Sequence, residues 1–404
     1  MLGDHESTNC EVIVVGGGPV GLTTAVALAA AGVETVLIAR QQTVPDHRTT
    51  ALLAGSVTAL ETLGVWRRCN EHAAPLRVMR IVDDTGRLMR APEVRFTASE
   101  IDLNAFGHNI ENRHLVAALE QRTTELSLTR VDAQAQAVEI GQHGVTVRLD
   151  GGGKVTGRLV VGADGRRSLC RVAAGIESDG RRYPQTALVC NVAHARPHED
   201  TSTEFHTGSG PFTLVPLPGN RSSVVWVVDP NQAGRLASLD DAALAMEIER
   251  RAHSIFGKLD LEPGKGFFPL AIETARKFAA NRTALVGEAA HVIPPIGAQG
   301  LNLGLRDAAT ISEVVVEARR SGADLASALA HYDELRRTDV GTRTFAVDLL
   351  NQSLLSDFLP VQGLRGLGLY LVDRVGPLRR AVMREGVAPA AQPRLMRGEA
   401  LWSP

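Results

Sequence analysis

Cysteine is scarce and scattered in this chain of 404 residues: Cys10, Cys69, Cys170 and Cys190 form no CxxC pair and stand at no spacing from histidine that suits zinc. That argues against a disulfide framework and gives no reason to expect a bound metal; reduced cytoplasmic thiols are expected instead. Excess charge of one sign is missing too. A formal net charge of -2 gives no electrostatic ground for nucleic acid or an anionic membrane as partner. No basic-then-apolar leader is visible, because residues 1–11 are polar and acidic. Residues 12–39 are apolar enough to imitate a membrane span, but glycines 16, 17, 18 and 21 and a strand-then-helix texture argue against one. A soluble, cytoplasmic protein is expected. With 44% hydrophobic and 22% charged residues, its length is enough for two or three domains.

What is present begins with a βαβ unit. Residues 11–16 (EVIVVG) form a β-branched apolar run that reads as a buried parallel strand. Residues 19–31 read as a helix stopped by Gly32, and 35–39 (TVLIA) as the next strand. Further helices are predicted over 57–63 and 112–126, the latter from the apolar stripe Leu115, Ala118, Leu119. A hairpin is expected over 78–89, turning at 83–86, and strands at 138–140, 145–149 and 159–161. From about 183 to 278 the texture becomes strand-rich, with 212–216 and 223–228 joined by the Pro218-Gly219-Asn220 turn and one helix over 240–253. The βα texture returns at 283, with a helix from about 301 to 320, and the chain beyond 329 reads as mostly helical.

Three motifs carry chemistry. The first is Gly16-x-Gly18-x-x-Gly21, with Pro19 and Val20 inside it, where a strand turns into a helix. Gly16 permits the tight turn, Gly18 lets backbone approach a pyrophosphate, and Gly21 lets helix and strand pack closely. The helix start then offers free N–H groups to the phosphates. The acid that would pair with the adenosine ribose is missing, because Ala39 and Arg40 close the second strand. The second motif, VGADGRRS (161–168), puts Asp164 at a sheet edge. The third, TALVGEAAHVIPPIGAQGLNLGLRD (283–307), delivers Glu288 to the end of a strand, where it can meet a ribityl hydroxyl. A Pro294-Pro295-Ile296-Gly297 turn follows, and Gln299-Gly300-Leu301-Asn302 opens a helix whose N–H groups can face the O2/N1 side of an isoalloxazine. That placement stabilises a reduced flavin anion.

In this order and spacing the motifs resemble the class A FAD-dependent aromatic monooxygenases related to para-hydroxybenzoate hydroxylase. PPIGAQGLNLGLRDAA, PLPGNRSSVVW (216–226), the Arg48-x-x-Ala51-Leu52 segment with LGVW (63–66) and the tail PRLMRG (393–398) resemble the ubiquinone-biosynthesis hydroxylase branch. The resemblance covers essentially the whole chain and departs from the family in Glu288, where an Asp is usual, and in Ala39. It implies an α/β fold with α+β elements: a Rossmann-like FAD-binding domain (1–74, 104–178 and 279–340), an inserted β-sheet substrate domain (75–103 and 179–278) and a helical C-terminal region (341–404).

The resemblance also implies site residues. Gly287, Glu288, Pro295, Gly297, Gly300, Leu301 and Asn302 would lie along the flavin, with Arg48 near the pyrophosphate and Asn112 or Arg113 against the cofactor. Asp164 would touch the cofactor and the path of NAD(P)H, a transient reductant with no second GxGxxG fold to hold it. His291 reads as a hydrogen-bonded residue shaping the loop beside Glu288 rather than a general base, and no catalytic side chain is assigned. Phe212, Leu214, Pro216, Trp226 and Pro294 are candidates for the substrate wall, with sheet-to-helix packing the alternative for the strand residues. The implied reaction is flavin reduction, formation of a C4a-hydroperoxide with O2, and transfer of OH to an electron-rich ring. The substrate would be a polyprenylated phenol; a small soluble aromatic, or a non-catalytic role in a biosynthetic complex, are the alternatives. A prenyl chain would bring contact with a membrane surface or partner, through the apolar segment holding Leu354, Leu355, Phe358, Leu359, Leu364, Leu367, Leu369 and Leu371.

Overall fold

A computed structural model describes residues 7–41, 46–86, 92–295, 297–355, 374–387, 389 and 391–401, with the backbone alone at 346, 347 and 350–355. The strand Ser7–Val15 lies at the centre of a parallel sheet, flanked by Thr35–Ile38 on one side and Lys154–Gly162 on the other. Thr283–Leu285 continues it in parallel beyond Lys154–Gly162. Val12, Ile13 and Val14 are fully buried, as are Leu37, Val160 and Val161, which is why these strands read as continuous apolar runs. The helix Pro19–Ala30 covers one face; Gly304 of the helix Gln299–Ser321 packs on its Val20, where an added Cβ would stand 2.6 Å from a Val20 methyl.

A second, mostly antiparallel sheet is built on the long strand Ser178–His194, with Arg221–Val228, Gly210–Leu217 and Thr201–Thr207 beside it in turn. Val78–Asp83 pairs in parallel with the last of these, and Val94–Thr97 closes that edge. The expected hairpin over 78–89 is therefore corrected: its return strand begins only at Val94. The expected single helix over 240–253 is also corrected. Two helices, Pro230–Ala237 and Asp241–Arg251, cover the sheet. The first starts where Asp229 accepts hydrogen bonds from the Asn231 and Gln232 N–H groups and Pro230 presets the first turn. A small sheet of Thr49–Leu53, Gly107–Glu111 and Ala73–Pro75 lies between the two.

The helix Leu325–Leu355 runs on unbroken through residue 340. Its Tyr332 hydroxyl donates to the Leu285 carbonyl at 2.7 Å, and Asp333 accepts from the Phe278 N–H at 2.6 Å, so it is docked on the edge of the parallel sheet. All four cysteines are free thiols. Burial pushes those of Cys10 and Cys190 up to about 12 and that of Cys69 to about 11.

Candidate cofactor and substrate site

The GxGxxG turn is sterically closed to anything but glycine at two of its positions. Gly16 has φ +121°, and a Cβ there would lie 2.2 Å from the Ala163 carbonyl oxygen. One on Gly21 would lie 2.0 Å from the Gly16 carbonyl oxygen. Gly18 differs: an added Cβ would meet nothing within 4 Å. It is the N-cap of the first helix, no side chain caps that helix, and Pro19 occupies the first turn. A clear, uncapped helix start of this kind presents N–H groups and a partial positive charge to an anion, which suits a pyrophosphate.

Ala39 is buried, and its small side chain faces Gly17, where an added Cβ would stand 2.8 Å from it. Arg40 is mostly exposed and pairs with Asp150. On the other side of the cradle, Arg48 is gripped by Asp46 through Nε at 2.9 Å and a terminal nitrogen at 2.8 Å, and its guanidinium lies 5.9 Å from the centre of the Phe268 ring. Those hydrogen bonds raise its pKa most, burial opposes them, and the nearby Glu288 charge adds to the rise. Asn112 donates to Asp46 at 3.0 Å and accepts from Thr50 at 2.7 Å, so it fixes the Asp46–Arg48 loop. Arg113 pairs with the buried Glu111 at 3.0 Å. Both oxygens of Asp164 are engaged, by the Ser168 hydroxyl at 2.6 Å and the Cys170 N–H at 3.1 Å, so this carboxylate organises its own turn.

The third motif is built around a buried carboxylate. Gly287 takes φ +60° beside Val20 and donates its N–H to Asp307 at 2.9 Å, leaving Glu288 exposed at the end of the strand. Pro294 is buried and Pro295 exposed. Gly297 (φ +66°) and Ala298 (φ +54°) turn through the left-handed region into the helix Gln299–Ser321, which no side chain caps. Around Gly297 and Gly300 an added Cβ would meet nothing, so this second helix start is open as well. Leu301 is half-buried. The Asn302 side chain accepts from the Leu53 N–H (2.8 Å) and the Ser56 hydroxyl (2.7 Å) and donates to the Ala51 (2.8 Å) and Ala298 (2.6 Å) carbonyls. With that capacity filled, it ties the helix start to the 51–56 segment, and only the backbone of Asn302 is left for a ligand.

Asp307, fully buried, also accepts from His291 Nε2 at 2.7 Å and Arg336 Nε at 2.6 Å. Burial alone would raise its pKa; the charges of Arg336 and His291, with the Gly287 N–H, outweigh that and hold it below the ordinary carboxylate range. Arg336 continues to Asp339, which Arg343 and Arg306 also approach. Burial lowers the Arg306 pKa to about 10. His291 is thus enclosed beneath the Glu288 turn. Sequence reading quoted Asp307 without giving it a role and had no signal for Arg336, which lies on a helix far along the chain.

The substrate-wall candidates require a correction. Phe212, Leu214 and Trp226 are fully or almost fully buried and pack with Leu236, Leu244 and Ile248 of the covering helices. Strand alternation sends them to the helix side of the second sheet, so they are core. The opposite face carries Val189, Thr213, Val215 and Val225, all half-buried. That face is the one turned to the cradle, because Asn191 donates to the His47 carbonyl at 3.0 Å and Asn109 to the Ser223 hydroxyl at 3.2 Å. The apolar segment from Leu354 to Leu371 lies outside the residues whose side chains are described.

A GxGxxG strand-to-helix turn, an exposed carboxylate beside Arg48 and a second open helix start, locked together through Val20, Gly287 and Gly304, define a flavoprotein of the FAD-dependent monooxygenase class. Comparison with known proteins agrees: residues 9–346 match the FAD binding domain family, and the chain belongs to it. It is 35% identical over 402 residues to the ubiquinone hydroxylase UbiL of Rhodospirillum rubrum, covering 96% of this chain and 92% of that one. It is 30% identical to the 3-demethoxyubiquinol 3-hydroxylase of Escherichia coli, covering 93% and 97% respectively. Among solved structures it is similar to the p-nitrophenol 4-monooxygenase PnpA of Pseudomonas putida, with a TM-score of 0.78 at 19% identity over 96% of this chain and 100% of that one. It is also similar to HpxO of Klebsiella pneumoniae complexed with FAD, with a TM-score of 0.76 at 19% identity over 94% and 99%. These structural likenesses speak to the fold.

Proposed function

We propose that this protein hydroxylates the ring of a polyprenylated phenol in ubiquinone biosynthesis, using FAD, O2 and NAD(P)H. The observation that carries the reading is the convergence of two open helix starts on one cradle beneath an apolar sheet face. The names of the full-length relatives support the choice of substrate. Gly16, Gly18 and Gly21 would hold the pyrophosphate with Arg48, Glu288 would hold the ribityl chain, and the backbone of 299–302 would face the ring's O2/N1 edge. Bound FAD, reduced by NAD(P)H, supplies the two electrons that activate O2 for transfer of one oxygen atom to the ring.

What this chain contributes is positioning and exclusion of water. The helix start at Gln299 places N–H dipoles where negative charge develops on a reduced flavin. The Asp307 network fixes the turn carrying Glu288, so that part of the cradle is rigid before the cofactor arrives. The half-buried valines of the second sheet give the aromatic ring a dry, apolar wall.

No helix among the described residues is long and apolar enough to cross a membrane. Phe345 (69% exposed) and Leu349 (59%) on the long helix, with Val382 on the helix Gly376–Val387, support peripheral contact with a lipid surface that stores a prenylated substrate. Spectra and turnover test the whole reading. The purified protein should absorb as a flavoprotein, and a prenylated phenol should stimulate NADPH oxidation with matching hydroxylated product. A yellow protein stimulated only by small soluble aromatics would redirect the substrate, and a colourless one that takes up no FAD would end the reading.

A further inference from the structure

The open face of the second sheet holds a charged group that the preceding reading leaves unused. Phe205, Phe212, Leu214, Val224 and Trp226 point to the covering helices, so the residues between them point the other way. Strand register sets Ile81, Glu204, Thr213, Val225 and Val189 in one row across that other face. The neighbouring row is Val215, Ser223 and Asn191, the last two being the residues bonded to Asn109 and to the His47 carbonyl. The row containing Glu204 therefore lies one step from the groups that join this sheet to the cofactor cradle. Tyr183, on the same face, donates to Asp348 of the long helix at 2.6 Å, which bounds the face on another side.

Glu204 is the carboxylate in this wall of valines. One oxygen accepts from His206 Nε2 at 2.9 Å and the other from the Thr213 hydroxyl at 3.3 Å. Its side chain is 23% exposed, whereas that of His206 is 4% exposed. Among the described residues no lysine or arginine pairs with it; its ion-pair partner is His206. Burial acts to raise its pKa, but His206 and Thr213 outweigh that and hold it below the ordinary carboxylate range. An ionised carboxylate fixed in this way by one donor per oxygen keeps acceptor capacity on each.

We infer that Glu204 is the hydrogen-bond acceptor for the ring hydroxyl of the aromatic substrate, with His206 and Thr213 as positioning residues, and that it selects neutral phenols over benzoates. The inference rests on the aromatic-hydroxylase reading and deepens it. An O–H donor meeting a fixed carboxylate in an apolar wall forms a short, charge-assisted bond. A benzoate in the same place would bring a second negative charge against the first. The bond also pushes electron density from the phenol oxygen into the ring, at the carbons ortho and para to it. It fixes which edge of the ring is presented to the flavin.

The test uses FAD-loaded protein and three probes: a prenylated phenol, its O-methyl ether and 4-hydroxybenzoate. Binding is read from perturbation of the flavin absorption. The wild type should bind the phenol at least about tenfold more tightly than the ether, the size of a lost hydrogen bond to a charged group. Glu204→Gln, checked for unchanged flavin content and melting temperature, should reduce that ratio severalfold. Thr213→Val, which frees one carboxylate oxygen without altering charge, should lower it by less. Should Glu204→Gln not fold, Thr213→Val decides alone. An undiminished ratio in the variants, or tighter wild-type binding of 4-hydroxybenzoate than of the phenol, overturns the inference and leaves the hydroxylase reading standing. A wild type that binds none of the three and oxidises NADPH no faster with any of them fails at the hydroxylase reading itself, and this inference falls with it.

Discussion

His291 Nε2 lies 2.7 Å from Asp307 Oδ2, and the same oxygen receives the Gly287 N–H at 2.9 Å. One buried carboxylate therefore holds both ends of the turn that exposes Glu288, and Arg336 neutralises it from the other side at 2.6 Å. This relationship assigns His291 a part in shaping the turn, where a sequence reader is tempted to see a base.

Asp307→Asn should be strongly destabilising. It leaves Arg336, 3% exposed at its side chain, without its main counter-charge. Breaking a buried pair in this way costs about 3–5 kcal/mol. Thermal unfolding should begin roughly 5–15 °C lower, and flavin content should fall with it.

The same carboxylate gives a pH signature. Its pKa is depressed in the folded protein, so its stabilisation is present above the ordinary carboxylate pKa, about 4, and is lost as pH falls through the lower folded value. Acid unfolding of the wild type should steepen below pH about 4. Asp307→Asn should flatten that limb, and an unchanged acid limb would argue that Asp307 is not linked to folding.

Gly16 and Gly18 should separate fold from cofactor. Gly16→Ala forces a Cβ to within 2.2 Å of a backbone oxygen and should lower the melting temperature of the FAD-free protein. Gly18→Val places its side chain in open space before the helix. It should leave that melting temperature nearly unchanged while weakening FAD binding about tenfold or more, as read by quenching of FAD fluorescence.

Trp226 and Val225 are adjacent yet face opposite ways. Trp226→Ala should cost about 3–5 kcal/mol of stability, the usual penalty for emptying a core site of that size. It should leave the relative binding of different aromatics unchanged. Val225→Phe, on the open face, should raise KM for the aromatic substrate with little change in melting temperature. Reversal of these two patterns in paired melting and kinetic measurements would mean the faces have been assigned the wrong way round.

Thiol reactivity checks the burial of the cysteines. With Cys10 and Cys190 at about 12 and Cys69 at about 11, little thiolate exists at pH 8. Native protein should react with a disulfide reagent far more slowly than unfolded protein, which should release four equivalents.

Local rules carried much of this protein into view. The continuous apolar runs at 11–16 and 159–161 announced buried parallel strands because both faces of such a sheet are covered. The glycine spacing at 16, 18 and 21 announced a phosphate cradle because backbone sterics at two of those positions admit no side chain. Pro230 after Asp229 was a legible helix start that passed unread. What the sequence could not decide was which face of each strand meets which neighbour. Phe212, Leu214 and Trp226 have a period of two that marks a face, but only the arrival of two helices behind the sheet made that face core and its opposite the wall of the site. Nor could sequence pair Asp307 with Arg336, or Glu204 with His206 and Thr213, since a side chain acquires its partner and its pKa from groups brought close by folding. Short-range sterics and periodicity are written along the chain, whereas the meeting of distant charges in low-dielectric surroundings exists only once the sheets and helices have packed.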